Sequence, residues 1–168
     1  MLSSPFRGLQ GMDAFAVVRN CVLPLDLYYK VEDHIWARVV EDREVILGYT
    51  DVAQTTAGGM LHVTFRPINR FYARGKVVAV VESSKWLGAL RTPVAGTLVA
   101  VNPAVQKDAG LINRSPYRRG WLVRLRPENL ERDLADLLTG EEAVRAYEAL
   151  MEEKGLDDCV HCEGYEMP

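Results

Sequence analysis

Apolar and polar residues alternate in short stretches through the middle of the chain, which is the pattern of β-strands. The clearest alternation covers residues 34–40, and a polar turn at 41–43 separates it from a second apolar stretch at 44–49. These two stretches predict a β-hairpin. Further strands are predicted where apolar runs lie between glycines and prolines, at 60–65, 76–81, 96–101 and 121–125. Short strands at such close spacing are typical of a sandwich or barrel.

Helical periodicity replaces this alternation toward the C-terminus. Leucines at 130, 134, 137 and 138 fall on one face of a helix. Thr139 and Glu142 fit a capping box before a second helix, which Gly155 is well placed to end. The predicted organisation is an N-terminal extension (1–26, with a loose leader at 1–13), a β domain (27–127), C-terminal helices packed on it (128–155) and a cysteine-containing tail (156–168).

Two parts of the chain resemble each other. Residues 45–51 align with 77–83, and residues 57–63 align with 95–101, with six more residues between the halves of the second copy. Two copies of one strand-turn-strand unit predict a sandwich of two sheets with pseudo-twofold symmetry, since neither copy can bury its apolar face alone. The additional residues predict a protruding turn at 84–92.

Charge is unevenly divided along the chain. The first 127 residues carry 17 basic and 10 acidic side chains, whereas the remainder carries 3 and 13, for a net charge of −3. The acidic part would repel phosphate, so nucleic acid is not a predicted partner. A weaker alternative is a nucleic-acid binder whose affinity falls steeply with salt, using Arg118, Arg119, Arg124 and Arg126.

Membrane and secretory classes are not predicted. No run approaches the roughly 18–20 uncharged apolar residues that a membrane-spanning helix needs. The N-terminus also lacks the long apolar region of a signal peptide. We therefore expect a cytoplasmic protein with no membrane partner.

The three cysteines, Cys21, Cys159 and Cys162, give an odd and sparse count that argues against a disulfide framework. Cys159 and Cys162 form a Cys-x-x-Cys pair, but a zinc site needs four ligands and only Cys21 could readily add another sulfur. No metal site is predicted. A redox dithiol and a plain tail both stay open. The sequence also contains no Ser-His-Asp set and no phosphate loop, so we predict no catalytic residue.

Lys85 lies in the predicted protruding turn. It is one of only five lysines among 20 basic residues. An exposed surface lysine is the plain interpretation. Lysine nevertheless has one use that arginine cannot serve, because its amine can be acylated to leave a neutral, flexible stalk.

The residues around this turn resemble the lipoyl hairpin of the glycine cleavage system H-protein family. The resemblance runs from about residue 27 to residue 150. It is carried by Val-Val-Glu-Ser-Ser-Lys at 80–85, Thr-Pro-Val-Ala-Gly at 92–96, Val-Asn-Pro-Ala at 101–104, His-Ile-Trp at 34–36, Gly-Tyr-Thr-Asp-Val-Ala-Gln at 48–54, Leu-Ile-Asn-Arg-Ser-Pro-Tyr at 111–117 and Gly-Trp-Leu at 120–122.

This resemblance implies a mainly β fold with C-terminal helices, a flattened lipoyl-domain-like hybrid of sandwich and barrel built from two sheets. It implies that Lys85 carries lipoic acid in amide linkage, attached by a lipoate-protein ligase or a lipoyl transferase. The flanking candidates for recognition by that enzyme are Glu82, Ser84, Trp86 and Gly88. The protein would be a carrier with no catalytic activity of its own.

Next to the lysine the chain departs from the common family pattern, because Trp86-Leu87-Gly88 stands where small residues are usual. This variant, with the N-terminal extension and the cysteine tail, is similar to the H-protein-like lipoate-binding proteins of bacterial sulfur oxidation. The first functional hypothesis is therefore a carrier serving a heterodisulfide-reductase-like complex. The alternative is the H protein of glycine cleavage, which carries the aminomethyl group from glycine decarboxylase to aminomethyltransferase among the P, T and L proteins. A third hypothesis is a binding module whose turn docks partners without acylation.

Overall fold

The computed structural model describes residues 6–7 and 14–168, so the predicted loose leader at 1–13 falls almost wholly outside the described residues. The strands are β1 (Phe6–Arg7), β2 (Phe15–Val18), β3 (Cys21–Pro24), β4 (Tyr28–Lys30), β5 (Ile35–Val39), β6 (Val45–Tyr49), β7 (Met60–Phe65), β8 (Arg70–Tyr72), β9 (Val77–Ser83), β10 (Leu87–Arg91), β11 (Gly96–Val101), β12 (Val123–Pro127) and β13 (Leu138–Thr139). The α-helices are α1 (Asp51–Ala57), α2 (Pro103–Lys107), α3 (Leu111–Arg114), α4 (Leu130–Leu134) and α5 (Gly140–Lys154).

A seven-stranded sheet with the order β13-β4-β5-β6-β12-β11-β8 runs through the molecule. The predicted hairpin of β5 and β6 is confirmed, with Trp36 opposite Gly48. Consecutive residues of β5 are buried because its two faces meet different cores. Ile35 and Ala37 belong to a main core, whereas Trp36 belongs to a second core on the opposite face.

The main core lies between this sheet and a three-stranded sheet with the order β10-β9-β7. Val81 and Leu90 of the small sheet pack in one cluster with Leu47 and Leu125 of the large one. Each sheet buries the apolar face that it could not bury alone. The mainly β class with C-terminal helix is confirmed.

The second core is covered by a third sheet, β1-β2-β3, which the sequence did not predict, and by α5. Leu23 of β3 and Tyr147 of α5 pack in this core with Trp36. A disulfide between Cys21 of β3 and Cys159 joins this sheet to the tail across 138 residues of sequence. The sparse cysteine count argued against a disulfide framework, so this bond was not predicted. Because Cys159 is bonded to Cys21, it does not pair with Cys162.

The C-terminal helices differ from the predicted ones. Helix α4 ends at Leu134, because Leu138 and Thr139 pair with β4 as the edge strand β13. The predicted capping box is wrong: the Thr139 hydroxyl donates to the Leu27 carbonyl (2.7 Å) and does not accept a hydrogen bond from the first turn of α5. Gly155 ends α5 in the left-handed region (φ 61°), as predicted. No helix within the described residues is long and apolar enough to cross a bilayer.

The internal repeat maps onto both principal sheets. The first copy supplies β6 to the large sheet and β7 to the small one, and the second copy supplies β9 to the small sheet and β11 to the large one. Between these strands the first copy forms α1, whereas the longer second copy forms the hairpin strand β10. The additional residues therefore build the β9–β10 hairpin, whose turn carries Lys85.

Candidate functional site

Lys85 lies exposed at the turn between β9 and β10, where the sequence placed it. The buried Ser83 fixes this turn. Its amide donates to the Trp86 carbonyl (2.9 Å), and its Oγ accepts hydrogen bonds from the amides of Trp86 (3.1 Å) and Lys85 (3.4 Å). Sequence reasoning missed Ser83, although serine hydroxyls often close turns by bonding to amides two or three residues ahead.

Replacing Ser83 with alanine is expected to loosen the turn, because the amides of Lys85 and Trp86 lose their acceptor. We expect a loss of about 1 kcal/mol in stability and faster hydrogen exchange at the Trp86 amide. Nuclear magnetic resonance exchange rates measure this directly. Ser84→Ala, at the exposed neighbouring position, is the matched control, and equal acceleration in both variants would contradict the assigned role of Ser83.

A second anchor holds the turn against the segment between α1 and β7. The Ser84 amide donates to the Gly59 carbonyl (2.9 Å). Gly58 has φ 75°, and a Cβ added to it would lie 2.6 Å from Ser84 Oγ and 3.5 Å from Lys85 Cε. The aliphatic part of Lys85 therefore passes over Gly58, and the positive φ together with the close approach of Ser84 Oγ requires glycine at this position. Asn113 of α3 holds this segment, since its Oδ1 accepts from the Met60 amide (2.9 Å) and its Nδ2 donates to the Gly58 carbonyl (2.8 Å).

Lys85 stands at the edge of a cavity of about 610 Å³. The volume falls in the range of small-molecule sites. The cavity has apolar and polar walls and is lined by Gln54, Thr55, Gly58, Gly59, Met60, Lys85, Gly110, Asn113, Arg114, Val160, Cys162 and Glu163. Its residues come from the N-terminal and C-terminal parts of the chain as well as from the hairpin, so no single motif could have predicted it.

Trp86 lies on the other side of the turn, half-buried and edge-on to Tyr49 with ring centroids 6.4 Å apart. A side chain on Gly88 would overlap the Trp86 indole, so the two residues form one packing unit. Trp86 also lines a smaller cavity of about 310 Å³ with His34. Burial lowers the pKa of His34 by more than the nearby Asp33 carboxylate raises it. The imidazole is therefore neutral at neutral pH.

The other flanking candidate, Glu82, is exposed on β9 opposite Leu87 of β10 and His62 of β7. Leu87 and Leu61 are exposed large apolar residues at the same end of the small sheet. The roles of Glu82, Ser84, Trp86 and Gly88 in recognition stay predictions.

The arginine runs are largely engaged with carboxylates. Arg119 pairs with Glu166 (2.9 Å), and Arg124 and Arg126 pair with Glu44 (2.6 and 3.4 Å). These carboxylates reduce the attraction that the arginines would exert on phosphate. No group of three or more His, Cys, Asp or Glu side chains that could hold a metal ion occurs within the described residues.

The fold and the site thus define a β-sandwich that presents one lysine on a fixed hairpin tip at the edge of a cavity. The family model described as "Glycine cleavage H-protein" matches residues 27–151. The chain belongs to the glycine cleavage H-protein family.

Named relatives support this membership. "Glycine cleavage system H protein 2" of Aquifex aeolicus (strain VF5) is 41% identical over 139 residues, covering 83% of this chain and 86% of the relative. "Glycine cleavage system H protein" of Thermus thermophilus is 40% identical over 119 residues, covering 71% and 91%. The crystal structure of a glycine cleavage system H protein from Mycobacterium marinum is similar, with a TM-score of 0.66, 29% identity, and coverage of 80% of this chain and 100% of that one.

Proposed function

We propose that Lys85 carries lipoic acid in amide linkage and that the protein is a carrier with no catalytic activity of its own, the H protein of a glycine cleavage system. In this role it takes the aminomethyl group from glycine decarboxylase to aminomethyltransferase, with the P, T and L proteins as partners in the cytoplasm. The observation that carries the proposal is the exposed Lys85 amine on a hairpin tip fixed by Ser83, in a chain of this family.

The residues around Lys85 fit such a group. The amine is exposed, and no salt bridge of the described residues involves it, so a ligase can reach it. The cavity beside it offers apolar surface at Met60 and Val160 and polar groups at Asn113 and Thr55. When bound, lipoic acid supplies a cyclic disulfide that exchanges with thiols and accepts electrons together with a carried group.

The chain's own contribution is to hold the base of the lysine arm in a fixed position. Ser83 and the Ser84–Gly59 hydrogen bond hold the root of the arm, and the lysine stem passes over Gly58. A flexible tether on a fixed root raises the effective concentration of its end at each partner. The cavity offers one place on the carrier where such an end can be sheltered from water.

The first hypothesis from the sequence, a carrier for a heterodisulfide-reductase-like sulfur-oxidation complex, is the second candidate. The names of the relatives favour glycine cleavage. Two features favour the second candidate: the Trp86–Gly88 packing unit at the root of the arm, and Cys162 in the cavity wall.

Intact-mass measurement tests the proposal in two stages. The chain produced with lipoate and a lipoate-protein ligase is expected to gain one lipoyl group, and then the aminomethyl group when incubated with glycine and glycine decarboxylase. A lipoylated chain that glycine decarboxylase cannot load, but that exchanges electrons with a heterodisulfide-reductase-like complex, would support the second candidate. An unmodified chain would overturn both and favour the docking module.

A further inference from the structure

A C-terminal strap, residues 156–166, forms one wall of the Lys85 cavity. The strap lies beyond the 27–151 segment that matches the family, and it contributes Val160, Cys162 and Glu163 to the cavity. Four hydrogen bonds hold it to α1 and α3: Val160 N–H to Thr55 Oγ1 (3.1 Å), Gln54 Nε2–H to the Val160 carbonyl (2.8 Å), His161 Nε2–H to Asp51 Oδ2 (2.6 Å) and Glu166 N–H to the Arg114 carbonyl (2.6 Å).

One covalent bond adds to these contacts. The Cys21–Cys159 disulfide ties the strap to the β2–β3 hairpin, and both cysteines are almost fully buried (0% and 3% exposed). Two hydrogen bonds close the junction around this disulfide: the Cys159 amide donates to the Arg19 carbonyl (3.0 Å), and the Asn20 side-chain Nδ2 donates to the Cys159 carbonyl (2.7 Å). Thiol–disulfide exchange requires access to a sulfur atom, so an external thiol reacts slowly with this buried bond.

The same strap contains a third cysteine. Cys162 is exposed, is a free thiol, and follows Cys159 by three residues. It faces the cavity that Lys85 borders. A thiol tethered to Cys159 by a three-residue separation has a high effective concentration at the buried bond, which an external thiol lacks. In cytoplasmic proteins, the location given under the proposed function, disulfides are most often transient or redox-sensing.

We propose that the three cysteines form an exchange unit, in which Cys162 opens the Cys21–Cys159 bond and frees the strap from the β2–β3 hairpin. The Cys162 thiol releases its proton to solvent, and the thiolate attacks Cys159 Sγ. The Cys159–Cys21 bond breaks as the Cys159–Cys162 bond forms, and Cys21 leaves as a thiolate that takes up a proton. One thiol and one disulfide are present before and after, so no oxidant or reductant is consumed.

The exchange changes what holds the cavity wall. With Cys21 bonded to Cys159, the strap is covalently fixed over α1. With Cys159 bonded to Cys162, it is held only by non-covalent contacts, which are hydrogen bonds and the Arg19–Asp158 and Arg119–Glu166 salt bridges. Its disulfide then lies where external dithiols can reduce it. The wall at Val160–Glu163 can then move away from Lys85. The exchange itself needs no acylation of Lys85. Only its use to control the position of a lipoyl-lysine arm rests on the function proposed above.

The test uses the full chain with Lys85 unmodified, so that its outcome is independent of lipoylation. The oxidised protein is incubated near the ordinary pKa of a thiol, about 8.5, quenched with acid, alkylated, digested without reduction and mapped by mass spectrometry. We expect a fraction with Cys21 alkylated and a Cys159–Cys162 disulfide. With dithiothreitol as the probe, we expect Cys162→Ser to slow the reduction of Cys21–Cys159 by roughly tenfold or more, given the effective concentration of a tethered thiol.

Glu153→Gln is the matched control, because it changes an exposed acid of α5 outside the cavity wall and keeps all three sulfurs; it should be reduced at the wild-type rate. Two results together would overturn the proposal: Cys162 is the only alkylated cysteine of the oxidised protein, and the Cys21–Cys159 bond of Cys162→Ser is reduced as fast as that of the wild type. Should Cys162→Ser not fold, Cys21→Ser gives an independent answer. Mild oxidation should join its Cys159 to Cys162 and speed amide hydrogen exchange in the strap, and two free thiols with an unchanged strap would contradict the exchange unit.

Discussion

Lys85→Arg is expected to abolish lipoyl attachment completely while leaving the fold unchanged. Arginine keeps the positive charge and the length of the side chain, but its guanidinium stays protonated and offers no amine for acylation. Because Lys85 is exposed at a turn, the change removes no buried contact. The expected readout is an intact mass with no lipoyl group after production with lipoate and a ligase.

Lys76→Arg is the matched control, since Lys76 is also exposed and precedes the first residue of β9. It should gain the lipoyl group in full. Acylation removes one ammonium from a chain of net charge −3, so isoelectric focusing gives a second readout in which only Lys85→Arg fails to shift. A lipoyl group on the Lys85→Arg chain, or its loss from the Lys76→Arg chain, would show that lipoic acid is attached to a residue other than Lys85.

The position of Lys85 was predictable because it depends on local features. An apolar run predicts β9, the longer second copy of the repeat predicts a protruding turn, and the sequence places the lysine in that turn. The strand pair β5–β6 was predictable for the same reason. In each case the information lies within a few residues of the element that it determines.

The part of the site formed by α1 was harder to predict, because its residues contact partners that are far away in the sequence. Helix α1 has seven residues and a Thr50 cap whose Oγ1 accepts from the Ala53 amide (3.3 Å). Asp51 looks like an ordinary surface acid in the sequence, yet it is fully buried. Its burial is tolerated because Val22 N–H, Gln54 Nε2 and His161 Nε2 all donate to its carboxylate, and two of these come from the chain's ends.

The Cys21–Cys159 bond was unpredictable for a related reason. Cysteine spacing does not determine connectivity, and these two residues meet only because α5 and the third sheet both pack on the second core. The cavity beside Lys85 depends on the same packing, since the disulfide brings the strap over α1. Long-range assembly of the chain's ends therefore adds a wall that the family segment alone does not supply.

Trp36→Ala is expected to be the most destabilising single substitution we consider, at about 3–5 kcal/mol. The indole is fully buried in the second core and lies beside Tyr117. Its Nε1–H is shared between the carbonyls of Tyr49 and Pro116, both at 3.0 Å, so the variant loses volume and leaves two buried acceptors without their donor. For a chain of this size the midpoint of thermal unfolding should fall by roughly 6–20 °C.

Gly48 makes this prediction specific, because it lies opposite Trp36 in the β5–β6 register and its missing side chain creates the space for the indole. A Cβ on Gly48 would overlap the buried Trp36 indole, 2.7 Å from its Nε1, so Gly48→Ala alone should also destabilise strongly. In the Trp36→Ala background the clash no longer exists, and the added methyl group fills part of the cavity. Urea unfolding of both single variants and the double variant, with the disulfide intact, should therefore show a double variant much more stable than the sum of the single losses. Additive losses would mean that the indole and Gly48 do not form one packing unit.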